Sequence, residues 1–210
     1  NYSQSINKNI QIKFEKQIEL IDVSFFYEKD KFIFQNINLK INKGEKIGLT
    51  GNSGQGKTTL IELIIGLYQT NKGKILIDGT DISENYKSWM GNIGFIPQKV
   101  ILLDDTIANN IAFMDVKQNL DKKTILEIMK KVDLDQYLID EAFTKNVGEG
   151  GMNISGGQRQ KIAIARALYK KKNFLILDEA TKGLDKISEK KVIQNLIIKV
   201  LHESQDYVLH

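Results

Sequence analysis

The stretch Gly51-Asn52-Ser53-Gly54-Gln55-Gly56-Lys57-Thr58 matches G-x-x-x-x-G-K-[ST] without a gap. Lys46-Ile47-Gly48-Leu49-Thr50 precedes it and reads as a short apolar strand. Leu60 to Tyr68 follows and reads as a buried helix. Strand, glycine loop and helix, in that order, is the context this motif requires. The glycines let successive backbone N–H groups turn toward a bound phosphate. The helix beyond Lys57 points its positive N-terminus at the same anion. Lys57 supplies a point charge for β- and γ-phosphates, and the Thr58 hydroxyl is placed to ligate Mg²⁺.

Outward from this loop the chain alternates strands with helices. Residues 18–27, rich in β-branched and aromatic side chains, read as a strand, and 32–41 alternate apolar and polar residues as a second. Lys74-Ile75-Leu76-Ile77 is a strand closed by the turn pair Asp78-Gly79. Ile93-Gly94-Phe95-Ile96 is another, ended by Pro97. Residues 106–145 carry helical patterning and read as an insertion. A helix over 155–170 leads to the apolar strand Asn173-Phe174-Leu175-Ile176-Leu177-Asp178. Val192, Ile193, Leu196, Ile197, Val200 and Leu201 mark one face of a last helix before a strand at Tyr207-Val208-Leu209. The alternation predicts an α/β sheet with a parallel core. Residues 1–17 are polar, without a clear period, and read as an arm or linker.

Composition narrows the class. At 210 residues the chain suits one domain with a subdomain insertion, and 41% hydrophobic residues suffice for a core. With no cysteine there is no disulfide, thiolate metal site or cysteine nucleophile. No run approaches the roughly 18 apolar residues of a bilayer span, and the N-terminal residues lack an apolar signal core. The net charge of +4 comes from lysines interleaved with acids, as in Glu28-Lys29-Asp30-Lys31, so nucleic-acid binding is not expected. Of 30 basic residues only Arg159 and Arg166 are arginine, and both fall on the 155–170 helix.

Two further elements bear on chemistry. Asp178-Glu179 ends an apolar strand, which suits a Mg²⁺ ligand followed by a residue that polarises water. Ile154-Ser155-Gly156-Gly157-Gln158 opens a helix, another anion-binding geometry. Each alone is a common strand end or cap.

Together the three elements closely resemble the nucleotide-binding domain of ATP-binding cassette (ABC) ATPases, over residues 18–210. Ser155-Gly156-Gly157-Gln158 looks like that family's signature motif, with Ile154 where Leu is usual. Gln98 resembles the Q-loop glutamine, and Tyr27 the aromatic residue that stacks on adenine. Ala180-Thr181-Lys182-Gly183-Leu184-Asp185 resembles the D-loop, with Lys182-Gly183 in place of the usual small pair. Residues 102–113 and Val147-Gly148-Glu149-Gly150-Gly151 look like the segments that distinguish exporters, the latter like the X-loop. His210 stands near the place of the switch histidine, which otherwise lies beyond the sequence in hand.

The resemblance implies a P-loop nucleoside-triphosphatase (RecA-like) core with a mixed or parallel sheet and an antiparallel β subdomain. A helical signature subdomain is inserted at about 100–160. It implies ATP bound by Tyr27 and by Gly51, Asn52, Ser53, Gly54, Gln55, Gly56, Lys57, Thr58 and Thr59. Mg²⁺ would be held by Thr58, Gln98 and Asp178, with Glu179 as general base or water-orienting group. Ser155, Gly156, Gly157 and Gln158 would serve the ATP of a partner in a head-to-tail dimer. A transmembrane domain, fused upstream or on a separate subunit, would place the motor on the cytoplasmic face of a membrane. The polar arm would suit such a fusion. The transported substrate is not encoded here.

Two other readings compete. Soluble ABC-type ATPases of DNA repair or chromosome structure carry a long coiled coil between loop and signature. Lys57 and Ser155 are only 98 positions apart (155 − 57), with no heptad run. Translation-type members carry two cassettes, and this chain has one. A nucleotide-binding regulatory module without hydrolysis would not need Glu179.

Overall fold

Ile18 and Leu20 are buried on the first strand, but the next buried residues are Val23, Ser24 and Phe25, so the period of two slips by one. The slip is a bulge at Asp22. Its φ is 49°, and the pairing register shifts between Leu20 and Val23. An inserted residue of this kind returns the apolar set to the inner face. Asn38 steadies it: its Nδ2 donates to Asp22 Oδ1 (2.9 Å) and its Oδ1 accepts the Asp22 N–H (3.0 Å).

The computed structural model describes residues 10–29, 31–52, 54–113, 120–178, 186, 188 and 207–209. In chain order come β1 (Gln17–Phe26), β2 (Phe32–Asn42), β3 (Lys46–Gly48), α1 (Lys57–Ile65), β4 (Lys72–Ile77), β5 (Thr80–Asp81) and α2 (Tyr86–Met90). Then follow β6 (Ile93–Ile96), α3 (Ile107–Ala112), α4 (Lys122–Lys131), α5 (Gln136–Asp140), α6 (Gly156–Tyr169), β7 (Phe174–Leu177) and β8 (Tyr207–Leu209). They fall into two units, Asn1–Ile93 with Gln205–His210, and Gly94–Ser204. The amphipathic helix expected around 192–201 lies outside the described residues.

The first unit holds an antiparallel sheet in the order β2-β1-β4-β5 and the parallel pair β3–β8. Asp78 and Gly79, at φ 50° and 85°, close the hairpin between Ile77 and Thr80. Two left-handed residues match the twist of a two-residue hairpin. The Asp78 carboxylate also accepts the backbone N–H groups of Glu15 (2.6 Å), Lys16 (2.9 Å) and Gln17 (2.7 Å). These bonds fix where the chain enters β1.

Residues 10–16 belong to the stretch that reads as a polar arm, yet they lie along this unit. Ile12 and Phe14 are buried. The Ile12 N–H donates to Ser88 Oγ (2.8 Å), and the Asn85 and Asn92 amides donate to Ile10 O and Ile12 O. Phe14 meets Trp89 edge-on at 6.2 Å between centroids. Trp89, fully buried, donates its indole N–H to Ile64 O at 2.6 Å and so ties this layer to α1.

The second unit is mostly helical. α3 and α4 both pack on α6, whose Ile162, Ala163, Ile164, Ala165, Ala167 and Leu168 are buried. β6 and β7 lie side by side, and the Asp178 N–H donates to Ile96 O (3.0 Å). α3 starts at Thr106, whose hydroxyl accepts the Asn109 N–H, and α4 starts at Asp121, which accepts the Thr124 N–H. These caps and the basic residues in the last turn of α4 explain why a polar segment is helical here.

If the seating of residues 10–16 is a packing contribution, Phe14→Ala will lower unfolding free energy by about 3–5 kcal/mol, the range for truncating a buried large aromatic to alanine. Urea denaturation followed by Trp89 fluorescence measures this. A truly detached arm would leave the midpoint unmoved.

Candidate functional site

The glycine loop runs from β3 into α1 and is shaped by its own side chains. Gly54 and Gly56 are both left-handed at φ 83°, and Gly56 is the N-cap of α1. A Cβ on Gly56 would lie 2.5 Å from Ile33 Cγ2 and 2.6 Å from Phe34 Cε1, so no side chain fits there. The Gln55 amide folds back, its Oε1 accepting the Asn52 N–H at 2.9 Å. Lys57 Nζ donates to Gly51 O (2.9 Å) and Asn52 O (3.0 Å), which holds the ammonium over the loop. α1 has no acidic residue in its first turn. A positive helix end, a fixed ammonium and glycine backbone form a donor set that fits a polyphosphate. Thr58 is exposed one residue on, where its hydroxyl can meet a cation.

Tyr27 belongs to the same unit. Its hydroxyl shares a 3.0 Å hydrogen bond with Thr59 Oγ1, next to Thr58. Tyr27 is 54% exposed, and its ring meets Phe25 (4.9 Å) and Tyr68 (5.5 Å) edge-on. Two supporting rings and a tethered hydroxyl leave an aromatic face of fixed orientation beside the loop. Ser53 lies outside the described residues.

In the second unit, Gln98 and Asp178 stand at adjoining strand ends. Gln98 is two residues beyond Ile96, whose carbonyl takes the Asp178 N–H. Glu179, the residues 180–185 and His210 lie outside the described residues.

The 155–158 turn is a complete capping box at the start of α6. Ser155 Oγ accepts the Gln158 N–H (3.2 Å), and Gln158 Oε1 accepts the Ser155 N–H (2.8 Å). Ser155 and Gly156 are exposed, and buried Ile154 anchors the turn from below. Both arginines serve this helix. Arg159 Nη1 donates to Gly151 O and Ile154 O, each at 3.1 Å, and so braces the 148–154 loop. Among the described residues Arg166 donates to carbonyl oxygens: Nε to Asn110 O (2.9 Å), Nη1 to Ile101 O (3.2 Å) and Nη2 to Asn110 Oδ1 (3.3 Å). Its guanidinium also stacks 4.3 Å from the Phe113 ring centroid. Burial pushes its pKa below the usual arginine value, from a starting point so high that it stays charged.

Sequence reasoning did not single out Asn110 or Asp135. Asn110 is wholly buried and clamps the 103–106 segment, accepting the Leu103 N–H (2.9 Å) and donating to Leu103 O (3.0 Å) and Thr106 O (3.1 Å). An asparagine pair in the middle of the otherwise apolar segment Ile107–Ala112 was the available signal. Asp135 accepts from Gln158 Nε2 at 2.6 Å, a contact spanning 23 positions that no local pattern announces.

A mixed α/β fold with this loop between strand and helix is that of a P-loop nucleoside triphosphatase. The family model described as ABC transporter matches residues 34–182, and the chain belongs to that family, as its ATPase-type domain. It is 40% identical over 194 residues to "ABC transporter B family member 29, chloroplastic" of Arabidopsis thaliana, covering 89% of this chain and 31% of that protein. It is 41% identical over 187 residues to the "ATP-dependent lipid A-core flippase" of Syntrophus aciditrophicus, covering 88% of this chain and 31% of that protein. The solved structure of a bacterial Atm1-family ABC exporter with ATP bound superposes with a TM-score of 0.85 at 28% identity, over 99% of this chain and 35% of that one. The chain thus spans about a third of the length of these relatives. Among the described residues no helix is long and apolar enough to cross a membrane.

Gly56→Ala forces a left-handed alanine, at about 1–2 kcal/mol, into a filled space. ATP affinity measured by calorimetric titration is expected to fall at least about tenfold. Unchanged affinity would mean that the loop around Gly56 is not the phosphate cradle.

Proposed function

We propose that this chain is the ATP-binding and ATP-hydrolysing motor domain of an ABC exporter, working on the cytoplasmic face of a membrane as a head-to-tail dimer. The observation that carries the reading is the pairing of two anion-facing helix starts in one chain. One is the Gly51–Thr58 loop before α1, and the other is the capped Ser155 turn before α6. The relatives above, a flippase and an exporter, support transport over DNA repair or translation.

In this reading Tyr27 stacks on the base, and the 51–59 backbone with Lys57 takes up the phosphates. Ser155 uses its oxygen to cap α6, which leaves its own proton to donate to a phosphate oxygen of the partner's nucleotide. Gly156 and Gly157 let that phosphate approach the helix backbone. Glu179 orients the attacking water. Mg²⁺ would neutralise charge on the phosphates, and Thr58, Gln98 and Asp178 keep the ligand roles that the resemblance implies. Among the described residues no three His, Cys, Asp or Glu side chains cluster as an all-protein metal cage. Nucleotide shared between two copies favours the closed pair, and loss of the γ-phosphate removes that differential affinity.

Glu179→Gln stalls hydrolysis in this scheme. With Mg²⁺-ATP, light scattering should then show the mass doubling, and adding Ser155→Arg should return it to monomer. A chain that binds ATP and stays monomeric in the Glu179→Gln form would favour the regulatory-module reading instead.

A further inference from the structure

The geometry points to Asp135 as a positioning residue for the 155–158 turn. This rests on the reading above, in which that turn serves a second copy's ATP.

The Gln158 side chain has two chemically different ends. Its Oε1 must face the Ser155 N–H for the capping box to close, as it does at 2.8 Å. Turned over, it would set an NH₂ group against an N–H donor. A carboxylate can only accept, so the 2.6 Å bond from Gln158 Nε2 to Asp135 Oδ2 selects the productive sense. With the amide held, the Ser155 N–H is satisfied, and Ser155 Oγ stays on the Gln158 N–H.

Asp135 can do this because its own backbone is fixed from both sides. α4 ends with the Leu134 N–H on Met129 O and the Asp133 N–H on Lys130 O, both 3.1 Å, a paired helix-ending motif. Beyond it, Asp135 O accepts the N–H groups of Leu138 (2.9 Å) and Ile139 (3.2 Å) at the start of α5. The left-handed position in this corner, usually glycine, is Asp133 at φ 58°. An aspartate there supplies what glycine lacks. Lys161 donates to Asp133 O (2.6 Å) and lies 3.6 Å from its carboxylate, and Ser188 Oγ donates to Oδ2 (3.4 Å). The corner therefore grips α6 at two successive places, Gln158 and Lys161. Asp135 itself is exposed, and Ile125, Ile128, Met129 and Leu138 anchor α4 and α5 in the core without it. Removing its carboxylate takes that acceptor from Gln158 Nε2 while the packing stays.

The test uses Asp135→Ala and Asp135→Glu in the full chain. Amide hydrogen exchange at Ser155 and Gln158 should speed up at least about tenfold in Asp135→Ala, the scale of one lost charged hydrogen bond. The melting temperature should hold, and Asp135→Glu should restore protection. In the Glu179→Gln background, ATP-driven association should weaken about tenfold in Asp135→Ala. Asp135→Ala with Gln158→Ala should lose no more than Gln158→Ala alone, because both act through one amide. Unchanged exchange at 155 and 158, or losses that add, would overturn the assignment. A parent chain that does not associate with ATP at all would sink the dimer reading, while exchange would still decide the role of Asp135.

Discussion

A helix begins with backbone N–H groups that its own turns cannot satisfy, and the site in each unit is built around that deficit. α1 and α6 start at glycine-rich turns, and neither has an acidic residue in its first turn. A carboxylate there would satisfy the N–H groups and the dipole from within and repel a phosphate. Leaving it out keeps both helix ends receptive to an outside anion. The two ends are nevertheless prepared differently. At α1 the cap is Gly56, with no side chain at all, and the surrounding loop is held by Gln55 and Lys57. At α6 the cap is a serine whose hydroxyl already serves the helix and can still donate outward.

α6 also explains how a helix carrying a small, exposed turn can hold it still. Its apolar face of Ile and Ala is buried, and its polar residues fasten separate segments. Arg159 takes the 148–154 loop, Arg166 takes Ile101 and Asn110, and Lys161 with Gln158 takes the α4–α5 corner. The guanidinium fork suits this task, since each group donates to several carbonyls at once. A chain that otherwise uses lysine almost throughout keeps its two arginines for this helix. Movement of any one segment would therefore be felt at the turn.

The elements that follow strict spacing were legible in the sequence. The glycine loop before α1, the turn at Asp78-Gly79 and the strands at Ile93–Ile96 and Phe174–Leu177 stand where their patterns place them. Less legible were features made by contacts far apart in sequence. Ile12 and Phe14 are two apolar residues in a polar stretch, too few to announce that residues 10–16 pack against α2 and Trp89. The bulge at Asp22 shows only as a slip in alternation between Leu20 and Val23. Asp133 and Asp135 look like ordinary solvated acids until Lys161 and Gln158 are brought beside them. Local propensity carries no information about such partners. Spacing was enough to mark the glycine loop at 51–58 and the turn at 155–158, but not the residues that hold the turn.

The central claim is that one nucleotide is shared by the loop of one copy and the turn of another. Two differently labelled chains test it most directly, one carrying Lys57→Ala and the other Ser155→Arg, mixed with Mg²⁺-ATP and followed by energy transfer. A mixed pair retains one intact site, made of the unaltered loop of one chain and the unaltered turn of the other. Like pairs retain none. The account predicts ATP-dependent transfer in the mixture and none in either variant paired with itself. Equal signals in mixed and like pairs would contradict it.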